Sequence, residues 1–372
     1  FDKGNTFRIL TRIPNRFEGY CRPMNLKELA GTLGLSPTTV SRALNGYPEV
    51  SERTRRRVME AAAAHNYTPT SGARRLATGR SMAIGHVLPL STQHEMVNPI
   101  FADFIAGAGE TYARSGYDLV LSVLSDRDEE EFYRDIFTRG TVDGLVVHGP
   151  RIADKRIALL SELGIPFVVH GRSSDAEVDY SWIDINNRRS FFRATNFLLD
   201  LGHRSIALIN GLADMDFAKR RLQGYRSALE ERGILFNPEY VSNDEMTETY
   251  GYETARRYLD KTDCPSAFLV SSIIPAIGVR RAISDAGLRM GHDVSVVIHD
   301  DDLGYFRNSG DIPIFTGIRS SVRHAGRRLA EMLLDSIATP GQPPRHELLE
   351  AELMVGQSTG PAPALRRALE QG

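Results

Sequence analysis

In the run LSPTTVSRALNG, the residues Thr38, Thr39, Ser41 and Arg42 share the polar side of what patterns as a short helix. Short hydroxyl side chains let a helix approach the floor of a DNA groove, and a guanidinium can bond guanine with two parallel N–H groups. That quartet therefore has the chemistry of base reading. A second set lies far downstream, where His148, His170, His299 and Asp300 each sit at the end of a β-type run. Strand ends are where open α/β sheets bind ligands; a capping aspartate or a core histidine bonded to a carbonyl is the plainer alternative for each. Catalysis would need more than this. No GxSxG elbow, Walker loop, HExxH or strand-linked GxGxxG occurs, and no motif sets a Ser or Cys beside the histidines. A binding protein is expected, not an enzyme, with neither metal nor cofactor.

The elements that would hold the first set are legible from spacing. Leu26, Leu29, Ala30 and Leu33 mark one face of a helix that Gly34 ends. Ser36 then reads as an N-cap with Pro37 at the first helical position, and Val40, Ala43 and Leu44 supply a second buried face. Two short helices about a tight glycine turn make a helix-turn-helix. A third helix, capped by Ser51, runs through ERTRRRVMEAAAAHNY with Val58, Ala61, Ala62 and Tyr67 inward. Its Arg53, Arg55, Arg56 and Arg57 suit phosphate contact as a set, while any one of them alone reads equally as a solvated face.

The charge distribution agrees. The whole chain carries −2, yet Met24 to Arg80 holds nine basic residues against four acidic, a net of +5. A basic headpiece on an acidic body attracts phosphate without general stickiness. At 372 residues the chain is long enough for a small module and a two-lobed body. Cys21 and Cys264 are far apart, so a disulfide framework or zinc site has no support, and a reducing cytoplasm is expected. Residues 1–23 show neither helical periodicity nor a signal-peptide run and read as an unstructured leader, with Met24 as the expected start.

After Arg80, runs such as AIGHVLPL, YDLVLSVL, DGLVVHG and PFVVHG alternate with helical stretches, and a second such series begins near Trp182. The alternation implies parallel sheet covered on both faces, in two similar lobes with a ligand between them.

The runs LSPTTVSRALNGYPEVSERTRRRV and NYTPTSGARRLATGRSMAIG, and more weakly LLDLGHRSIALING with RRLQGYRSAL and VSVVIHDD with TGIRSSVRHAGRRLAEMLL, resemble the LacI/GalR family of bacterial repressors. The resemblance runs to about Gly360. It implies a headpiece at 24–69, a hinge helix and linker at 70–81, and a core at 82–360 like periplasmic sugar-binding proteins, followed by a tail at 361–372. Lobe one would take 82–181 and 314–345, and lobe two 182–313 and 346–360. By matching positions, Pro37, Thr38 and Arg42 should read bases, and Asn45, Ser51 and Thr54 should hold phosphates. Leu26, Ser36, Thr39 and Ser41 complete the DNA-facing set. Ala73 and Leu76 should enter the minor groove, with hinge packing as the alternative for Leu76. Thr70 stands where the family usually has Asn, and it can still cap the hinge helix.

For the effector, the resemblance puts Asn98, Pro99 and Phe101 on the loop after the first core strand, with Arg221 and Asp300 bonding sugar hydroxyls. His170 and Arg172 stand at the cleft mouth. Met246 replaces a usual aromatic, and Ser272 with Ile273 replaces a usual Asn-Asp pair. The phrases SVLSDRDEEEF, VDGLVVHG, PFVVHGRS and LVSSIIPAIGVRRAI most resemble the branch that represses α-glucoside operons. The expected partners are double-stranded operator DNA, a small sugar and a second copy of the chain, and the expected response is release by sugar. Corepression stays open; the alternative from another class, a transport module's sugar-binding protein, would need an export signal and no headpiece, and the sequence shows the reverse.

Overall fold

The structure, a computed structural model, describes residues 24–67, 79–89, 98–124, 129–308 and 312–371. The expected leader and the hinge positions Thr70, Ala73 and Leu76 lie outside the described residues. The chain divides into two units, one up to Ser81 and one from Met82.

Among its described residues the first unit holds three helices: α1 (Leu26–Leu33), α2 (Pro37–Leu44) and α3 (Glu52–Ala64). Each begins where its sequence supplies a cap. Asn25 and Glu28 form a reciprocal capping box on α1, Ser36 accepts from Thr39 N on α2, and Ser51 accepts from Thr54 N on α3. Such caps contribute about 1 kcal/mol each. Gly34 ends α1 at φ 64°, a left-handed conformation that a Cβ disfavours. Leu29, Ala30, Leu33, Val40, Ala43, Val50, Val58 and Ala62 form the core, with Leu26, Leu44, Ala61 and Tyr67 packed against it.

The second unit carries two six-stranded sheets. The first has strand order β11-β5-β4-β3-β1-β2 and is parallel throughout: β1 (Ala83–Pro89), β2 (Asp118–Leu124), β3 (Gly144–His148), β4 (Phe167–His170), β5 (Trp182–Ile185) and β11 (His346–Leu349). The second has order β12-β10-β9-β8-β6-β7, from β6 (Ile206–Asn210), β7 (Val241–Asn243), β8 (Ala267–Val270), β9 (Ser295–Asp300), β10 (Thr316–Arg319) and β12 (Glu352–Met354), with β12 alone antiparallel. Strands β3, β6, β8 and β9 are buried end to end, as strands covered on both faces must be.

The lobe boundaries differ from the sequence expectation. Trp182–Ile185 belongs to the first sheet, where Gly171 N donates to Ile183 O across the β4 edge, and His346–Leu349 pairs beside it. Thr316–Arg319 belongs to the second sheet, between β9 and β12. These runs are four residues long, too short for their own pattern to reveal a partner. The chain thus passes between lobes after Ile185, after Arg319 and after Leu349.

Helices α4 (Pro99–Arg114), α5 (Glu129–Arg139), α6 (Lys155–Leu163) and α11 (Val322–Ala338) flank the first sheet. Helices α7 (Asn187–Asp200), α8 (Asp216–Glu231), α9 (Glu248–Leu259) and α10 (Ile273–Asp285) flank the second, and α12 (Pro363–Gln371) forms in the segment expected as a tail. Three helix pairs cross on glycine. A Cβ on Gly107 of α4 would lie 2.0 Å from Arg323 O, one on Gly224 of α8 2.1 Å from Arg188 O, and one on Gly278 of α10 2.0 Å from Glu248 O. Backbones touch at these crossings.

Candidate ligand cleft and nucleic-acid interface

In the headpiece, Pro37, Thr38 and Arg42 are exposed along α2, with Ser41 partly so. The Ser36 hydroxyl lies 2.8 Å from the Thr39 hydroxyl, and the Ser51 and Thr54 hydroxyls lie 2.9 Å apart. Asn45 Nδ2 donates to Ser41 O at 2.7 Å. Leu26 turns partly onto the headpiece core. The α3 arginines divide. Arg55 donates to Tyr47 O and pairs with Glu52, and Arg57 donates to Leu33 O at the end of α1. Arg53 and Arg56 are exposed.

In the core, a cavity of about 390 Å³ opens where strands of both sheets end. Asn98, Pro99, Phe101, His170, Arg172, Arg221 and Met246, the residues singled out in sequence for an effector, all line it. Two details differ. Asn98 caps α4 and Pro99 and Phe101 form its first turn, so they stand on a helix and not a loop. Ser272 and Asp300 do not line the cavity. Ser272 caps α10, and Asp300 accepts from Arg319 Nε at 3.0 Å and Asn308 Nδ2 at 3.2 Å. Their neighbours Ser271 and Asp301 take the lining positions. Side chains alternate along a strand, so His299 and Asp301 share a side that Asp300 cannot.

The second lobe's wall centres on Arg221. Its guanidinium lies between the rings of Phe191 and Phe217, 4.9 and 4.8 Å from their centroids. Nε donates to Asn187 Oδ1 at 2.8 Å and Nη1 to Ser271 O at 2.7 Å. Burial pulls the arginine down to about 10, opposed by Asp301 and Asp184, and it stays a cation at neutral pH. Beside it, Ser271 Oγ, His299 Nδ1 and Asp301 Oδ2 are buried without a partner among the described residues. Unsatisfied buried groups are costly, so such a cluster is made for a polar guest.

The first lobe's wall is aromatic. The His170 ring stacks on Phe104 at 4.2 Å, and His148 meets Phe101 and Phe104 edge-on at 5.0 Å each. Burial pushes His170 down to about 4, although it keeps some exposure to the cavity, and pushes His148 well below its ordinary value. Arg172 donates to Asp184 at 2.8 Å, and burial raises the Asp184 carboxyl against that pull. An ion pair and a hydrogen bond join the lobes near the cavity: Arg151 lies 3.3 Å from Asp214, and Ser174 N donates to Asp216 at 2.7 Å. His148 and His299 were visible as strand-end histidines; Phe104, Asn187 and Phe217 carried no signal distinguishing them from packing residues.

A helix-turn-helix carried on a two-lobed, cleft-bearing α/β core defines a ligand-responsive DNA-binding regulator. The comparisons agree. The profile of bacterial regulatory proteins, lacI family, matches residues 25–70, and that of the periplasmic binding protein-like domain matches 195–359. The chain is 43% identical over 341 residues to the HTH-type transcriptional regulator AglR of Rhizobium meliloti (strain 1021), covering 92% of this chain and 96% of that one. It is 31% identical to the regulator CelR of Thermobifida fusca, covering 91% and 98%. A structure of a CelR–cellobiose complex matches with TM-score 0.67 at 29% identity, over 90% of this chain and 99% of that one. The lac repressor dimer bound to operator and the anti-inducer ONPF matches with TM-score 0.75 at 26% identity, over 91% and 100%. This chain belongs to the lacI family of bacterial regulatory proteins, and it is a helix-turn-helix transcriptional regulator. Among the described residues no helix is long and apolar enough to cross a membrane.

Proposed function

We propose that this chain is a cytoplasmic, non-catalytic repressor of a sugar-utilisation operon, binding operator DNA as a homodimer and released when a neutral sugar of the α-glucoside type enters the cleft. The observation that carries the ligand class is the wall around Arg221. An arginine held by two aromatic rings, with the unpartnered Asp301 Oδ2, His299 Nδ1 and Ser271 Oγ beside it, offers donors and acceptors together. Each sugar hydroxyl both donates and accepts. Carboxylates in the lining outnumber guanidinium groups five to two, which disfavours an anionic ligand such as a sugar phosphate. The α-glucoside class is supported by AglR and by the phrases that resemble that branch, and CelR's cellobiose complex is a further disaccharide precedent. For the dimer and the operator, the lac repressor dimer is the support.

Fluorescence anisotropy on DNA from upstream of the neighbouring sugar operon tests the reading, with and without maltose, sucrose, trehalose and isomaltulose at fixed salt. Release by one of these is expected. Operator binding that none of them alters would remove the α-glucoside class, and tighter binding in their presence would reverse the sign of regulation.

On the DNA side, Arg42 projects from α2 as the one long cationic side chain of the candidate reading helix. Arg42→Ala should weaken operator binding by about 1–3 kcal/mol and flatten base preference at one position. Binding that weakens equally on all sequences would make Arg42 a phosphate contact.

A further inference from the structure

We propose that Tyr112, His86 and His148 form a hydrogen-bonded relay that fixes His148 as a neutral donor, presenting Nδ1–H to the cleft as a specificity-determining contact for a ligand oxygen. The ligand half of this statement rests on the sugar-binding reading above. The tautomer half does not.

His86 sits within β1 with no exposed surface, and both its ring nitrogens are engaged. Nδ1 lies 3.0 Å from His148 Nε2, and Nε2 lies 3.1 Å from the Tyr112 hydroxyl oxygen. A neutral imidazole has one N–H and one lone pair, so the proton order along the chain can run only one way or the other. Buried-group satisfaction decides between them. Tyr112 is 1% exposed, and His86 is its hydroxyl's only hydrogen-bonding partner among the described residues. Were His86 to donate to it, the tyrosine's own proton would be left buried without an acceptor, a penalty the opposite order avoids. Tyr112 therefore donates to His86 Nε2, His86 Nδ1–H donates to His148 Nε2, and the remaining proton of His148 must sit on Nδ1.

That nitrogen has no protein partner among the described residues, and His148 lines the cavity. Burial, reinforced by His86, His170 and Arg156 nearby, keeps the ring uncharged. The cleft then offers a fixed donor from His148 on the first lobe, and an acceptor from Asp301 Oδ2 beside the Arg221 guanidinium on the second. Tyr112 and His86 are positioning residues, acting on the ligand only through His148.

Long-range 1H–15N correlation on the full chain labelled at histidine reads the tautomers directly in the ligand-free protein. His148 should carry its proton on Nδ1, and Tyr112→Phe should redistribute the tautomers of both His86 and His148. A wild-type His148 protonated on Nε2 overturns the relay, as do tautomers unchanged by Tyr112→Phe. Should that variant fail to fold, the wild-type spectrum alone decides. Maltose titration by calorimetry reads the ligand half. His148→Ala should lose more than tenfold in affinity, while His148→Asn, whose amide nitrogen stands near the place of Nδ1, should keep most of it. Equal affinity in His148→Ala overturns the contact. If neither maltose nor the other three disaccharides bind wild-type protein, the sugar reading fails, and the spectra still settle the relay.

Discussion

Arg221→Ala raises the dissociation constant for the responsive sugar by roughly a hundredfold or more, and leaves operator affinity within about a factor of two. Truncating one partner of a buried, charged hydrogen-bonded set costs about 2–5 kcal/mol. Arg221 is 6% exposed and spends one N–H on Asn187 and one on Ser271 O, leaving the rest of its fork for a guest. The two rings that grip it would lose their cation, and the second lobe its charged donor. The headpiece contains none of these groups, so DNA binding without sugar should persist. Arg221→Lys should rescue little, since an ammonium has neither the planar fork nor the stacking surface. Calorimetry with sugar and anisotropy on operator, run on the same preparation, separate the two effects. A variant that still releases DNA at the wild-type sugar concentration would take Arg221 out of the site.

Acid should unfold the core well before ordinary carboxylates titrate. Burial pushes His86 down to about 3 and His148 well below its ordinary value, and their side chains form one hydrogen-bonded pair. In the unfolded chain both return to about 6.5. Below that pH the unfolded state binds protons that the native state refuses, so stability is complete above about pH 6.5 and drains as pH falls towards the folded values. Two such histidines give a slope approaching roughly 3 kcal/mol per pH unit. Thermal scans at pH 7.5, 6.5, 5.5 and 5.0 should show a plateau and then a steep fall in Tm. A flat profile down to pH 5.0 would mean that these histidines are protonated in the native protein.

The headpiece was the most legible part of the sequence. Its caps and apolar positions all act within one turn of the residues they affect, and the buried Leu29, Val40 and Val58 fall where helical spacing puts them. The parallel architecture was legible for the same reason, from buried runs such as GLVVH. What sequence missed was decided at longer range or by a single residue of register. Whether Trp182–Ile185 joined the first sheet or the second depended on the neighbouring strand Phe167–His170, not on its own four residues. Asp300 and Asp301 are chemically identical, and the pleat alone sends one to Arg319 and the other to the cavity. The inward face of His86 depended on Tyr112 across the layer, which no local pattern encodes.

The glycine crossings have a mechanical consequence. Helices that touch backbone to backbone, as at Gly107, Gly224 and Gly278, have no side-chain layer to slide over. Sliding of packed helices, one of the two usual modes of domain closure, is therefore blocked inside each lobe. Each lobe should then move as a unit, about the passages after Ile185, Arg319 and Leu349 where the chain crosses between the sheets. Rotation about these passages is the mode left to closure, so what occupies the cavity should be registered as a change in the angle between the lobes.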